Sequence, residues 1–296
     1  MDDINFAELA DHLIPTALAA GAATLRHFSK DGCASKLKAD GSPVTIADEE
    51  AEALILSDLA QRFGSIPVVA EEAASGGHLP SACSRFFLVD PLDGTREFTS
   101  GSGQFTVNIG LVDAGVPRFG IVYAPALGEL YVTVDDDKAM MTTIASPQTC
   151  SHVDLDERHV ITTRDWSEAG LTIVGSQSHQ NAQDQAFIDD LPLEVTDRRS
   201  IGSSLKFCLV ARGEADVYTR FGPTMEWDTA AGEAVLRAAG GTVLRTDGAP
   251  FYYGKAETGY LNPGFIAYGS HGLLKRLAGT ASNVVSTAAA GAGAGQ

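Results

Sequence analysis

The residues best suited to chemistry lie in Asp90-Pro91-Leu92-Asp93-Gly94-Thr95, directly after the apolar run Phe86-Phe87-Leu88-Val89. Two carboxylates three residues apart at the end of a strand-like run cannot be buried without compensation. Pro91 stiffens the turn, and Gly94 lets backbone amides come close to an anion. This is the layout of a site that holds hard cations against a phosphate. The same residues also read as an ordinary acidic turn, because motifs of this length recur by chance. Two more acidic positions share the ambiguity. Glu71-Glu72 closes a short strand pattern over 66–70, where surface turns often carry such pairs. Asp228 opens a helix in Trp227-Asp228-Thr229-Ala230-Ala231-Gly232, where a carboxylate serves as an N-cap and still has an oxygen left for a ligand.

Regular elements must bring these positions together. Residues 4–28 read as a helix with Leu9, Leu13, Ala17, Ala20 and Leu25 near helical spacing, Pro15 marking a kink or a late start. Residues 29–43 are polar and end in the turn Asp40-Gly41-Ser42-Pro43. A second helix starts near Thr45 to Asp48, carries Asp48, Glu49 and Glu50 at its positive end, and stops at Gly64. Ala51, Leu54, Ile55 and Leu59 are its expected buried stripe. Beyond a Gly-rich polar loop the pattern is antiparallel: strands over 106–112, 118–123 and 130–134, with turns at Asp113-Ala114-Gly115 and Gly128. Residues 135–168 are polar and mixed and read as the passage between two domains. The second half alternates, with strands at 171–175, 215–221 and 242–246 and helices at 180–189, 203–212 and 229–239, the pattern of an α/β layer. Residues 279–296, ending in TAAAGAGAGQ, read as a disordered tail.

A chain of 296 residues is long enough for one large or two modest cores. Its net charge of −17 argues against a nucleic-acid partner, which needs clustered Lys and Arg, and suits a collector of cations. Cys33, Cys83, Cys150 and Cys208 lack C-x-x-C spacing, and the seven histidines show no ligand spacing, so neither zinc nor a disulfide framework is expected. No basic n-region precedes an apolar stretch, and no run approaches the ~18 apolar residues of a membrane span. The expectation is a cytoplasmic protein without a transmembrane segment; peripheral attachment at the inner membrane and a homodimer stay open.

With Glu71-Glu72, Asp90 to Thr95 and Trp227 to Gly232 in this order, the chain resembles the inositol monophosphatase superfamily, lithium-sensitive and magnesium-dependent sugar and nucleotide phosphatases, over about residues 4–275. The resemblance implies a layered αβαβα fold, α+β with an antiparallel sheet in the first half and α/β with a mixed sheet in the second. The domains would be 1–165 for metal binding and 166–278 for the substrate side, before the 279–296 tail. It makes Glu71, Asp90, Asp93, Asp228 and the Leu92 carbonyl the ligands of two or three Mg²⁺ ions. Asp48 matches the family's water-activating carboxylate and Thr95 its partner, with direct attack of a metal-activated water and no phosphoenzyme. The amides of Gly94 and Thr95 would hold phosphate oxygens.

Ile201 to Thr229, with Leu261-Asn262-Pro263-Gly264-Phe265, is similar to the family's bacterial 3′(2′),5′-bisphosphate nucleotidase branch. That branch implies hydrolysis of adenosine 3′,5′-bisphosphate to AMP and phosphate, a nucleotide recycled from sulfate activation in sulfur assimilation. Ser203, Lys206 and Arg220 would then line the nucleotide side of a substrate site shared with Glu71, Leu92, Asp93, Gly94, Thr95 and Asp228. A bisphosphate presents one phosphate to the metals, and the other needs its own cation. The alternatives are that Lys206 and Arg220 are solvated surface charges, and that the enzyme is an inositol monophosphatase or a fructose-1,6-bisphosphatase-like sugar phosphatase. An inactive metal-binding relative would have a damaged site, and this set is intact.

Overall fold

The computed structural model describes residues 4–38, 43–81, 83–153, 159–177 and 181–277. The expected turn at 40–42, Gln180 at the head of an expected helix and the 279–296 tail lie outside the described residues.

Asn5 caps α1 (Phe6–His27) by accepting the Glu8 amide at 3.1 Å, and the helix runs through Pro15 instead of starting after it. After the small antiparallel pair β1 (Lys36–Leu37) and β2 (Pro43–Val44), α2 (Ile46–Phe63) opens on a reciprocal cap between Thr45 and Asp48 and stops at Gly64. Its buried stripe is Ala47, Ala51, Ile55 and Leu59. Leu54, expected there, is 42% exposed. At 3.6 residues per turn Leu54 falls roughly a quarter-turn off that stripe. The stripe's opposite flank is taken by Asp48 and Glu52, both buried.

The first sheet has seven strands in the order β3 (Val68–Ala70), β4 (Arg85–Asp93), β5 (Thr106–Asp113), β6 (Val116–Ala124), β7 (Glu129–Asp135), β8 (Lys138–Thr143) and β9 (His159–Ile161). Only β3 and β4 pair in parallel. β8 and β9 correct the expectation of a polar passage over 135–168. Their apolar runs are short, Asp135, Asp136 and Asp137 directly precede β8, and pairing of β8 with β7 and of β9 with β8 supplies what their own sequence lacks. Two short helices open on the two acidic motifs, α3 (Glu71–Ser75) with Glu71 and Glu72 in its first turn and α4 (Thr95–Thr99) on Thr95; α4 replaces the first part of the expected loop.

The second sheet runs β11 (Val195–Ile201), β10 (Leu171–Ser176), β12 (Val217–Arg220), β16 (Phe265–Tyr268) and β14 (Thr242–Arg245). β10 is parallel to both neighbours, and β16 is antiparallel to both of its own. A separate antiparallel pair joins β13 (Thr224–Met225) to β15 (Leu261–Asn262). The helices are α5 (Ala182–Asp189), α6 (Leu205–Ala211), α7 (Ala230–Ala238) and α8 (His271–Leu277). β11, an edge strand of half-buried and exposed residues, adds to the expected elements, as do β16 and α8.

The layers follow from which side chains meet. α1 and α2 cover one face of the first sheet through Leu13 and Ile55 against Val107, Ile109 and Tyr123. Its other face, with Phe86, Leu88 and Tyr131, packs on Phe207 of α6 and Val235 of α7, and these helices also pack on Tyr218 and Phe265 of the second sheet. α5 and α8 close the far side through Phe187, Leu273 and Leu277. This is the expected αβαβα stack, with an antiparallel-type sheet first and a mixed sheet second. Two cross-strand glycines set the distance between sheet and α7. A Cβ on Gly120 would come within 2.2 Å of the Ala231 carbonyl oxygen, and one on Gly110 within 3.0 Å of the Ala231 amide. The head of α7, with Asp228 just before it, is therefore seated directly on β5 and β6, beside β4, which carries the other acidic motif.

Candidate active site

β4 does not end at Asp90, as its apolar run suggested, but continues to Asp93 with a bulge. The register passes from Asp90 opposite Asn108 to Asp93 opposite Thr106. Pro91 has no amide to give to the ladder, and Asp90 Oδ1 accepts the Leu92 amide at 2.9 Å. Gly94 then takes a left-handed conformation, φ 92°, in which a Cβ would approach the Gln104 carbonyl at 3.1 Å and Ser203 Cβ at 3.3 Å. The chain enters α4 at once, so the first amides of that helix have no acceptor within it.

A cavity of about 260 Å³ opens at this tip. Of the residues singled out in the sequence, Glu71, Asp90, Leu92, Asp93, Gly94, Thr95, Ser203, Lys206, Arg220 and Asp228 all line it. Asp48 stands behind them. Its Oδ2 accepts the Thr45 amide at 2.9 Å and the Thr45 hydroxyl at 2.6 Å, so this oxygen is spent on the α2 cap. Its Oδ1 faces Thr95 Oγ1 at 3.5 Å, and the same hydroxyl lies 3.3 Å from the Leu92 carbonyl. Burial pushes the Asp48 carboxyl above its usual range.

The other carboxylates lie close together, Asp90 buried and Glu71, Asp93 and Asp228 half-buried. Burial, then the charges of Glu71, Asp93 and Asp228, push Asp90 well up. Burial, then Asp93 and Glu71, do the same to Asp228. Asp228 does not cap α7, as the simpler reading had it; its Oδ2 turns back to accept the Met225 amide at 2.8 Å. Glu71 and Glu72 are each 2.7 Å from Lys38 Nζ. Burial works against the Lys38 charge, but these two partners outweigh it and hold the ammonium above its ordinary range.

Whether this set fits a metal rests on its chemistry. Among the described residues no three His, Cys, Asp or Glu side chains already enclose a metal position, and Lys38 supplies the counter-charge at Glu71 and Glu72. The donors are nonetheless all oxygen and buried or half-buried, and burial pushes Asp90, Asp93 and Asp228 above the usual carboxylate range even with the Lys206 charge acting against it at Asp93. Mg²⁺ takes such oxygens near octahedral geometry and keeps several waters, so an open half-cage suits it. The residues fit.

Lys206, which also lines the cavity, is 5% exposed, which excludes a solvated surface charge. Its Nζ donates to the carbonyls of Ile201, at 3.2 Å, and Ser203, and lies 5.4 Å from the Tyr218 ring centre. Burial lowers it to about 8. Ser203 itself is left-handed, φ 53°, a costly conformation for a residue with a Cβ. Arg220 is held through Nη2 by the Pro223 carbonyl at 3.0 Å.

Several supporting residues escaped the sequence reading. Glu52 accepts the amides of Glu72 and Ala73 at 2.8 and 2.9 Å and so fixes the Glu71-Glu72 turn. Glu226, fully buried, accepts the amides of Gly254 and Lys255 and pairs with Lys255 Nζ at 2.6 Å, backing the Asp228 turn. Lys38 lay in a segment read only as polar. The one legible hint was Asn108, an amide in the middle of an apolar strand.

The model of the inositol monophosphatase family matches residues 5–284. The chain belongs to this family. It is 43% identical over 228 residues to the 3′(2′),5′-bisphosphate nucleotidase CysQ of Shigella flexneri, covering 77% of this chain and 86% of that one. The crystal structure of CysQ from Bacteroides thetaiotaomicron superposes with a TM-score of 0.73 at 36% identity, covering 91% of this chain and 100% of the other. An inositol monophosphatase from Zymomonas mobilis shares the fold, with a TM-score of 0.74 at 23% identity, covering 94% and 99%. Among the described residues no helix is long and apolar enough to cross a membrane.

Proposed function

We infer that this family member is a Mg²⁺-dependent 3′(2′),5′-bisphosphate nucleotidase that hydrolyses adenosine 3′,5′-bisphosphate to AMP and phosphate. The observation that carries the reading is the 43% identity to CysQ over most of both chains. The intact acidic site, with Lys206 and Arg220 lining the same 260 Å³ cavity, supports it. Cytoplasmic nucleotide turnover in sulfur assimilation is the setting it implies.

Glu71, Asp90, Asp93, Asp228 and the Leu92 carbonyl would hold two or three Mg²⁺. When bound, Mg²⁺ lowers the pKa of a coordinated water and offsets charge on the phosphoryl group and the departing oxygen. The protein's own part is orientation and proton handling. Thr95 Oγ1 stands between the Leu92 carbonyl and Asp48 Oδ1, so it can accept a hydrogen bond from the attacking water and pass its own hydrogen toward Asp48. Asp48 is suited to receive that proton because burial has raised its affinity for one. The bond from phosphorus to the 3′ oxygen breaks as the water oxygen bonds to phosphorus. The leaving oxygen takes a proton from solvent to end as the ribose hydroxyl, and Asp48 returns its own proton to solvent. The amides at the head of α4 offer donors to the phosphoryl oxygens. Lys206 and Arg220 would take the 5′-phosphate, Lys206 with the one ammonium hydrogen not committed to Ile201 and Ser203.

The test is phosphate release from adenosine 3′,5′-bisphosphate, inositol 1-phosphate and fructose 1,6-bisphosphate at equal Mg²⁺. Preference for the nucleotide is expected. Preference for either sugar phosphate would make the enzyme a sugar phosphatase of the same family.

A further inference from the structure

Ser204, at the head of α6, lies where the acidic residues of the two sheets meet. Its Oγ is 3.0 Å from Asp93 Oδ2 and 2.7 Å from the carbonyl oxygen of Asp228. Asn108, in the middle of β5, places Nδ2 3.0 Å from Ser204 Oγ and 3.4 Å from Asp93 Oδ2. One hydroxyl thus joins β4, β5, α6 and the turn before α7. Ser204 is 2% exposed and Asn108 0%, so both partners of Asp93 are held inside the protein. The hydroxyl has a single hydrogen and two acceptors in reach, the Asp93 carboxylate and the Asp228 carbonyl, while its lone pair is open to Asn108. The Ser204 backbone amide also supports Asp93. One carboxylate oxygen of Asp93 is therefore held by the protein on two sides, which fixes the direction of the other.

We propose that Ser204 and Asn108 are positioning residues for the metal site: they aim the Asp93 carboxylate and tie it to the Asp228 turn, and thereby set metal affinity. The proposal rests on the reading of Asp93 and Asp228 as ligands. The physical reason is that a carboxylate free to rotate must be ordered when a cation binds, whereas one already held binds without that cost. Partners of this kind are typically worth ~10–100-fold in metal affinity or activity.

The experiment uses the full-length chain, stripped of metal, with Mn²⁺ binding followed by electron paramagnetic resonance in the absence of substrate. Ser204→Ala and Asn108→Leu should each weaken Mn²⁺ binding by ~10–100-fold. The double variant should be little worse than either, because both act through Asp93. Turnover should recover toward the parent at high Mg²⁺, with KM for substrate little changed there. If Ser204→Ala fails to fold, Asn108→Leu answers the same question. Parent-like Mn²⁺ affinity in the folded variants, or turnover lost equally at every Mg²⁺ concentration, overturns the proposal. Asp93→Asn is the control: if it too binds Mn²⁺ like the parent, the ligand reading fails, and if it alone is weakened, only the positioning role fails.

Discussion

Replacing Lys206 with Met keeps a side chain of similar length and removes the ammonium. Two effects on stability oppose each other. The ordinary pKa of 10.5 falls to about 8 in the folded protein, chiefly through burial. At neutral pH, holding that charge inside therefore costs about 3 kcal/mol. Because the folded pKa is the lower one, the cost is fully present below pH 8 and fades as pH rises toward 10.5. Met removes the cost, but it strands the Ile201 and Ser203 carbonyls, each worth ~1–3 kcal/mol when left without a partner. At pH 7 the terms largely cancel, and urea unfolding should show a loss of no more than ~1–3 kcal/mol. At pH 10 only the stranded carbonyls remain, so the variant should fall further behind the parent. Catalysis should respond differently. Loss of a charge-assisted contact to the 5′-phosphate costs ~1.5–3 kcal/mol, so KM for adenosine 3′,5′-bisphosphate should rise about ten- to a hundredfold. Adenosine 3′-monophosphate and inositol 1-phosphate have no second phosphate and should be processed as by the parent. Equal loss on all three substrates would refute the argument and make Lys206 a brace for the strained Ser203 turn.

Asp90→Asn keeps the acceptor for the Leu92 amide but loses a charge, so turnover should drop by orders of magnitude while circular dichroism stays unchanged; near-normal turnover at saturating Mg²⁺ would contradict the metal assignment. Thr95→Ala and Asp48→Asn should each lower kcat by ~10²–10⁴-fold with KM nearly constant, and the pair should be less than additive since they share one proton path. A phosphoenzyme trapped by rapid quench would refute direct attack by water. Glu233, fully buried and accepting the Tyr253 hydroxyl at 2.8 Å, is raised by burial from 4.5 to about 7, so its ionisation increasingly destabilises the fold as pH rises through that interval. Glu233→Gln should therefore gain on the parent by about 3 kcal/mol between pH 4 and pH 8 in denaturant unfolding, and a gap that stays constant would show the group is not titrating there.

What the sequence determined by itself was local. A carboxylate pair split by Pro91 and closed by Gly94 can hardly be anything but a polar strand tip, and Thr45 with Asp48, then Gly64, bounds α2 with no help from the rest of the chain. The order of the acidic motifs was enough for the family, and the αβαβα stack followed from it. What the tertiary structure decided was contact between distant segments. Lys38 meets Glu71 across 33 positions and Asn108 meets Ser204 across 96, and although Asn108 interrupts an apolar strand, neither residue's partner can be read from periodicity. Such contacts depend on register, because a slip of one residue in β5 would turn Asn108 toward α1 and α2 and bring an apolar neighbour to Ser204. The same reasoning covers β8 and β9: their places were set by their strand partners, not by their own hydrophobic pattern. Lys206 shows the distinction most clearly, since its charge was evident in the sequence, but only the packing of α6 against both sheets buried it and lowered its pKa.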